Sequence, residues 1–271
     1  MIYPSRIAIV ENILDVLEGR RKMFDATRWP GAPPRLGTPD APLRLGILIS
    51  GRGTNMLSII TNQQKPGCCH HTKVVISDND NAKGLAIARE NGILSQSIEP
   101  PTLANKKSNQ IARELFPELR WHRPIDITSL ARRITHEIAI DECLRSFNVE
   151  FIILAGYMRL FSPWFIRRNV GRLINIHPSI LPDYPGPHAV RDALDAKASM
   201  SGCTIHHVDE GMDSGPIIAQ APITIEPEDT ETTLLSRIQI QEHLLYPAVL
   251  DAIATQTKIA FVKGLPNLII P

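Results

Sequence analysis

Three short, almost wholly apolar segments alternate with amphipathic segments along this chain. They read LRLGILIS (43–50), KVVIS (73–77) and EFIILAG (150–156). A strand in a parallel sheet is covered on both faces, so its sequence is a continuous apolar run rather than an alternation of apolar and polar residues. Helical patterns follow the first two segments and precede the third. The sequence therefore predicts an α/β fold with a Rossmann-like, mostly parallel twisted sheet and helices on both faces.

Later segments complete this prediction. LINIHPS (173–179) reads as a further short strand that runs into a loop. TIHHVD (204–209) and PIIAQAPITI (216–225) are joined through a glycine-containing turn and predict antiparallel strands at one side of the sheet. We expect the main helices at about 56–64, 82–91, 127–147 and 230–254, with a bend in the last one at Pro247.

The first 40 residues differ in character from the rest of the chain. Apolar residues recur at helical spacing from Ile7 to Leu17 and predict a short helix that ends near Gly19. Residues 25–42 contain five prolines and two glycines, a composition typical of a linker. We therefore expect an N-terminal helix and linker over 1–40 and a main domain over 41–271. Within that domain, 100–124 reads as an irregular insertion.

The charge balance limits the partners that this protein can have, and the cysteine content indicates its cellular compartment. Lys and Arg number 29 against 28 for Asp and Glu, so no whole-molecule field favours nucleic acid or an anionic membrane surface. No apolar stretch is long enough to span a bilayer. The spacing of the four cysteines fits neither a disulfide framework nor a zinc pattern, which favours a reducing cytoplasm. The run Cys68-Cys69-His70-His71 is too tightly spaced to close readily on one ion and is interpreted as a polar loop.

A glycine-containing loop, SGRGTN (50–55), follows the first predicted strand and opens the next helix. Backbone N–H groups at such a position attract phosphate, and glycines let the chain approach it closely. A dinucleotide-binding fingerprint would need a third glycine where the chain has Met56, although Asp78 mimics the ribose-binding carboxylate. A Walker A loop would need Gly-Lys-Ser/Thr, which is absent. The loop thus predicts a phosphate site, and a tight turn that binds nothing is the alternative.

A second candidate site joins two later loops. Asn175 and His177 lie two positions apart after a strand, so both project from the same face of the chain. An amide N–H beside an imidazolium N–H suits the stabilisation of an oxyanion. Asp213, in the turn GMDSG (211–215), would favour the imidazolium and hold its orientation if the two loops meet. The alternatives are a structural histidine in a proline-rich loop and an aspartate that stabilises only its own turn.

Five strings follow one another along the chain: LGILISGRGTN (45–55), LAGYMRLFSP (154–163), INIHPSILPDYPG (174–186), HHVDEGMDSGPII (206–218) and QIQEHLLYP (239–247). Together they resemble the phosphoribosylglycinamide formyltransferases of the folate-dependent formyltransferase family, and the resemblance covers about residues 43 to 255. Arg52 departs from the family, which often has Asn or Gly there. The stretch 100–124 is also longer than usual.

The resemblance implies an enzyme that transfers a formyl group from 10-formyltetrahydrofolate to the amine of glycinamide ribonucleotide in de novo purine biosynthesis. It implies a folate co-substrate and no metal. We also expect small-molecule partners rather than nucleic acid or membrane, and a monomer or homodimer. A formyltetrahydrofolate hydrolase, or a formyltransferase that acts on another amine, is the alternative.

The resemblance also assigns roles to individual residues. It implies catalytic roles for Asn175, His177 and Asp213. It places the substrate phosphate on Gly53, Thr54 and Asn55, and the substrate amine near Gln239 and Glu242. It places the pteridine, largely through backbone groups, on Met158, Arg159, Leu160, Phe161, Asp209, Glu210, Gly211 and Met212. Arg133 is the expected contact for the folate tail, with Arg132 as the competing position.

Overall fold

A computed structural model describes residues 35–119 and 126–257 of the chain, and the helix predicted between Ile7 and Gly19 lies outside them. The described strands are β1 (Leu43–Ile49), β2 (His70–Ser77), β3 (Leu94–Ser97), β4 (Phe151–Leu154), β5 (Leu173–His177), β6 (Met200–His207) and β7 (Ile217–Thr224). The described helices are α1 (Thr54–Gln63), α2 (Lys83–Glu90), α3 (Lys106–Leu119), α4 (Ile127–Ser146), α5 (Pro163–Arg168), α6 (Ala189–Asp195) and α7 (Glu231–Thr255).

The strands form one sheet in the order β3-β2-β1-β4-β5-β6-β7. Strands β1 to β5 run parallel, whereas β6 is antiparallel to β5 and β7 is antiparallel to β6. The predicted fold class is confirmed. Successive strands from β1 to β3 are added toward one edge of the sheet, and the strands from β4 to β7 are added toward the other edge. This reversal opens a crevice at the carboxyl ends of β1 and β4, where ligands bind in open α/β sheets.

Side chains of the central strand β1 point alternately into two hydrophobic cores. Ile47 and Ile49 belong to a cluster that includes residues of α1 and α7, whereas Leu48 belongs to a cluster with residues of α4 and α5. All three are fully buried. Burial of an aliphatic side chain of this size contributes about 1.5–3 kcal/mol. Helices on both faces thus explain why the strands are apolar throughout.

The irregular insertion predicted over 100–124 is wrong for most of that stretch, because helix α3 occupies it. Asn105 caps the start of this helix, since its side-chain oxygen accepts the N–H of Ser108 at 2.8 Å. Ala112 is buried against α4 in a small third cluster. Packing against α4 therefore stabilises a helix whose sequence is mostly polar.

Three short elements, β3, α5 and α6, were not predicted, and β2 begins three residues earlier than its apolar run. The interpretation of Cys68-Cys69-His70-His71 as a polar loop is therefore wrong for its last two residues, which form the start of β2. His70 is fully enclosed at this position. Hydrogen bonding to the neighbouring strand β1 decides this boundary, and a local sequence pattern does not contain that information.

Helix α7 covers one face of the sheet and continues through Pro247. Its first turn carries a capping box, in which Thr230 and Thr233 each accept the backbone N–H of the other. Further along, the hydroxyl of Tyr246 donates to the carbonyl oxygen of Leu154 at 2.9 Å. This bond anchors the middle of the helix to the end of β4. Within the described ranges, no helix combines the length and the apolar character needed to cross a membrane.

Residues 35–42, part of the predicted linker, contact the main domain. The Arg35 guanidinium donates to both carboxylate oxygens of Glu150, at 2.8 and 2.9 Å. The N–H of Gly37 donates to the carbonyl oxygen of Ala254 at 2.8 Å, near the end of α7. This segment is therefore tied to the amino-terminal edge of the sheet.

Candidate active site

Three strand ends meet at the crevice. The register places Leu154 of β4 beside Leu48 of β1 on one side and Asn175 of β5 on the other. The loops that follow are cross-linked, because Ser50 donates its N–H to the carbonyl of Gly156 and accepts the N–H of Met158 on its hydroxyl at 2.9 Å. The glycine loop and the candidate catalytic strand β5 thus belong to the same edge of the sheet.

The glycine loop turns into α1 through Gly53. This residue has a φ of 75°, and a side chain there would approach the Cα of Gly84 to 2.8 Å, so only glycine fits without strain. The loop is fixed from the other side by a hydrogen bond from the Gly84 N–H to the Gly51 carbonyl at 3.0 Å. The first turn of α1, which begins at Thr54, presents unpaired backbone N–H groups. A helix start of this kind attracts an anion.

Asn55 and Glu242 join the glycine loop to α7. The Asn55 amide nitrogen donates to Glu242 Oε2 at 2.8 Å, and both residues are buried. Burial raises the pKa of Glu242, and the hydrogen bond from Asn55 opposes that rise. This contact uses one hydrogen of the Asn55 amide, and the backbone N–H of Asn55 lies in the first turn of α1, where it can also donate to a phosphate. Gln239 is half-buried and lies three residues before Glu242, on the same face of α7.

The structure brings the candidate catalytic residues together. The Nδ1 atom of His177 lies 3.4 Å from Asp213 Oδ2, and the two side chains are only 6% and 16% exposed. Asp213 has a φ of 51° and accepts the Gly186 N–H at 2.8 Å, so the proline-rich loop positions its carboxylate. His177 and Asn175 both come from β5, which ends at His177.

Both ring nitrogens of His177 already have partners in the protein. Nε2 lies 2.9 Å from the carbonyl oxygen of Tyr184, which can only accept, so Nε2 carries a hydrogen in this contact. Nδ1 faces the carboxylate of Asp213. The imidazole can therefore donate to a bound oxyanion only after its Nε2–H leaves the Tyr184 carbonyl. Asn175 has no such restriction on its second amide hydrogen.

His206 is a site residue that the sequence reasoning missed as a functional group. It pairs with Asn175 across β5 and β6, and the Asn175 amide nitrogen lies 3.3 Å from its Nε2. The other ring nitrogen lies 2.9 Å from the carbonyl of His207, so it is the one that carries the hydrogen. Burial lowers the pKa of His206 and so favours the neutral ring. The two adjacent histidines in the sequence were the only signal for this role. Which residue His206 faces depends on the register between β5 and β6, which the sequence does not show.

The segment expected to contact the pteridine is exposed except at its end. Met158 and Leu160 are 68% and 43% exposed, whereas Phe161 is buried in a stack with Tyr157 and Phe165 at centroid distances of 5.3 and 4.3 Å. The Phe161 ring therefore holds the loop in place, and only the backbone of this residue can reach a ligand.

The second segment expected at the pteridine forms a compact turn. Asp209 accepts the Gly211 N–H at 3.0 Å and the Ser214 hydroxyl at 2.8 Å. Glu210 is paired with Arg167 at 2.8 Å, and Met212 is exposed. Hydrogen bonds within the turn therefore stabilise it and hold its backbone groups in a fixed arrangement at the edge of the crevice.

Of the two arginines considered for the folate tail, Arg133 faces the protein. It is half-buried and interacts electrostatically with Glu137, whereas Arg132 is exposed and donates to Ser129. Glu137 accepts the backbone N–H of Ser162 at 2.6 Å and also contacts the Ser162 hydroxyl. Burial raises the pKa of Glu137 to about 7, although Ser162 and Arg133 oppose the shift. The sequence reasoning did not single out this buried carboxyl group.

This fold and this site define a class of protein: the chain belongs to the formyl transferase family, whose model matches residues 43–250. Among curated relatives, it is 36% identical over 207 residues to a phosphoribosylglycinamide formyltransferase of Bacillus subtilis, a match that covers 76% of this chain and 92% of that protein. It is 32% identical over 209 residues to the Escherichia coli protein of that name, covering 77% and 86% of the two chains.

Other relatives are much longer or are known as structures. The chain is 37% identical over 259 residues to a trifunctional purine biosynthetic protein adenosine-3 of Drosophila pseudoobscura, covering 93% of this chain but only 17% of that protein. The crystal structure of phosphoribosylglycinamide formyltransferase from Brucella melitensis superposes with a TM-score of 0.65 at 38% identity, covering 79% of this chain and 96% of that one.

Proposed function

We propose that this chain transfers the formyl group of 10-formyltetrahydrofolate to the amine of glycinamide ribonucleotide, a step of purine biosynthesis. The observation that carries this proposal is the meeting of Asn175, His177 and Asp213 at the same edge of the sheet as the helix start at Gly53. Oxyanion donors next to an anion site suit acyl transfer to a phosphorylated amine. The names of the relatives agree with this reaction.

The glycine loop and α7 would hold the amine substrate. Backbone N–H groups at Gly53, Thr54 and Asn55 bind the phosphate at the positive end of α1. Glu242 accepts a hydrogen from the substrate amine, with Gln239 on the same face of α7. Because Asn55 donates to Glu242, one hydrogen bond couples the phosphate pocket to the group that orients the nucleophile.

The opposite wall would hold the reduced folate as a co-substrate. Backbone groups of Met158 to Phe161 and of Asp209 to Met212 contact the pteridine. Two features support this assignment: the first loop is anchored to Ser50, and the second is braced by Asp209. Arg133, rather than the exposed Arg132, then binds the acidic tail.

The chemistry requires no covalent enzyme intermediate. The protein holds the neutral amine beside the formyl carbon, and proximity supplies much of the acceleration. Asn175 donates its second amide hydrogen to the developing oxyanion, and His177 adds a donor when its Nε2–H exchanges the Tyr184 carbonyl for that oxygen. Asp213 sustains the imidazolium and, through water, relays the proton that the amine loses to the folate nitrogen, whose bond to the formyl carbon breaks as the new C–N bond forms.

One experiment separates this function from its alternatives. The full-length protein is incubated with 10-formyltetrahydrofolate, with and without glycinamide ribonucleotide, and both tetrahydrofolate and formylated product are measured. Turnover that requires glycinamide ribonucleotide supports the proposal. Turnover without any amine identifies a hydrolase, turnover only with a different amine identifies another formyltransferase, and no turnover at all contradicts an enzymatic role.

We further propose a cytoplasmic location and action as a monomer or homodimer on small molecules alone. Two observations support the location: the four cysteines are free, and Cys68 and Cys69 are partly exposed thiols that a reducing compartment preserves. Size-exclusion chromatography with light scattering at several protein concentrations tests the assembly state.

A further inference from the structure

Three potential metal ligands meet at the amino-terminal end of β2, on the edge of the sheet opposite the crevice. The side chains of Cys68, His70 and Asp251 place one ligand atom each within 4.8 Å of the others. Cys68 and His70 come from the start of β2 and the residues before it, whereas Asp251 comes from the last turns of α7. The tight spacing of the Cys-Cys-His-His run therefore does not prevent metal binding, because α7, an element distant in sequence, supplies one of the ligands.

The two distances to Asp251 fit a tetrahedral ion. His70 Nε2 lies 3.0 Å from Asp251 Oδ1, and Cys68 Sγ lies 3.9 Å from the same oxygen. Zinc bonds of about 2.0–2.3 Å place neighbouring ligand atoms roughly 3–4 Å apart. We propose that Cys68, His70 and Asp251 form a Zn²⁺ site with solvent in the fourth position, a structural clamp between β2 and α7 that is independent of the formyl-transfer site. The combination of thiolate, imidazole and carboxylate suits Zn²⁺ rather than Mg²⁺ or Ca²⁺.

The residues around this cluster leave it accessible to an ion and orient one of its ligands. Asp251 is 48% exposed and Cys68 is partly exposed, so an ion can enter from solvent, whereas His70 is fully enclosed. The Asn62 amide nitrogen donates to both Asp251 oxygens, at 3.1 and 3.0 Å, and Lys65 holds the Asn62 oxygen at 2.7 Å. Partners of this kind orient metal ligands and contribute to affinity.

Gln63 sets the tautomer of His70 and provides a specific prediction. Its Oε1 accepts the Thr72 N–H at 3.1 Å, so its amide nitrogen donates to His70 Nδ1 at 3.0 Å, and the ring hydrogen resides on Nε2. For Nε2 to bind an ion, that hydrogen must move to Nδ1. The Gln63 side-chain amide must then rotate by about half a turn so that its oxygen accepts from Nδ1, which breaks the hydrogen bond between Gln63 and Thr72. A carboxylate at this position would accept from both groups at once.

The test measures metal affinity on the full-length protein after treatment with a chelator. Titration with Zn²⁺ against a chromophoric competitor should give one site, and Co²⁺ should produce a thiolate-to-metal charge-transfer band in the near ultraviolet. Cys68→Ser should weaken Zn²⁺ binding about tenfold or more and remove the band, whereas Gln63→Glu should tighten binding about tenfold. Zn²⁺ should also raise the Tm of the wild type but not of Cys68→Ser.

Cys69→Ser is the matched control, since the neighbouring thiol is also partly exposed and lies outside the ligand set. It should bind Zn²⁺ like the wild type. An equal loss in Cys68→Ser and Cys69→Ser would indicate a simple dithiol chelate and overturn the site. Absence of stoichiometric Zn²⁺ binding, or a Co²⁺ complex without the thiolate band, would overturn it as well. Formyl transfer should be unchanged in Cys68→Ser, so failure of this site and failure of the proposed function give separate results.

Discussion

Asn175 and His206 face each other across β5 and β6, with the amide nitrogen of the first 3.3 Å from Nε2 of the second. Burial lowers the pKa of His206 and so favours the neutral ring, in which Nδ1–H is held by the His207 carbonyl and Nε2 accepts. His206 therefore fixes which end of the Asn175 amide faces it. One amide hydrogen is used in this contact, and the other remains available to donate to a bound ligand.

This relationship predicts that His206 is a positioning residue. His206→Phe should lower kcat about tenfold while KM for both substrates changes little, since it removes the acceptor that orients Asn175. His206→Gln can still accept the amide hydrogen and should recover most of kcat. Steady-state kinetics of both variants check this. Equal kcat in the Phe and Gln variants would mean that the contact has no part in orientation.

Asp213→Asn should reduce kcat on the order of a hundredfold or more with little change in KM, because a neutral side chain cannot sustain the imidazolium of His177. The amide oxygen of asparagine can still accept the Gly186 N–H, so the loop should keep its conformation. Asp195→Asn, at an exposed carboxylate that ends α6, is the control. Wild-type turnover in Asp213→Asn would remove this residue from the mechanism.

Glu242→Gln should raise KM for glycinamide ribonucleotide about tenfold or more, since a hydrogen bond to a charged group contributes about 1.5–3 kcal/mol. The glutamine oxygen can still accept from Asn55, so stability should be largely preserved. Glu242→Ala should raise KM as well and also lower the Tm, because it leaves the Asn55 amide buried without a partner. If KM is the same in wild type and Glu242→Gln, the carboxylate does not contact the substrate.

Gly53→Ala should destabilise the protein by about 1–3 kcal/mol and weaken binding of the phosphorylated substrate. The residue has a φ of 75°, and the added methyl group would meet the Gly84 Cα at 2.8 Å. Gly51→Ala, two positions away, is the matched control because a methyl group there meets nothing within 4 Å. Urea denaturation and substrate titration measure both effects. Equal stability of the two variants would contradict the close approach of the loop to α2.

Glu137→Gln should flatten the dependence of stability on pH. The folded-state pKa of Glu137, about 7, lies above its ordinary value of 4.5, so the folded protein holds this proton more tightly than the unfolded chain. The resulting stabilisation, about 3 kcal/mol, is present in full below pH 4.5 and is lost as pH rises through 7.

Glutamine can keep both contacts with Ser162 without titrating. Denaturation midpoints between pH 4.5 and 8 should therefore fall less steeply in Glu137→Gln than in the wild type. Glu142→Gln, at an exposed position of the same helix, is the control and should follow the wild type. A wild-type slope in Glu137→Gln would show that other groups cause the pH dependence.

The parts of this fold that could be predicted are those recorded locally in the sequence. The buried runs of β1 and β4 are apolar because both sheet faces are covered, and Gly53 is required by its own backbone conformation. Helix α3 was not predicted, because its stability depends on packing against α4. Proximity of Asn175 and His177 followed from their spacing in one strand. The engagement of His177 by the Tyr184 carbonyl did not, since a backbone group of any residue type can make that contact.

The contacts of residues 35–42 bring the two ends of the described domain together. Gly37 is hydrogen-bonded to Ala254, and this junction lies at the amino-terminal edge of the sheet. The first and last residues of this domain therefore lie close together, on the side of the sheet opposite the candidate active site. Further polypeptide could be joined at either end of such a domain without obstructing access to that site. The same geometry is compatible with a domain that stands alone and with one that is joined to other domains.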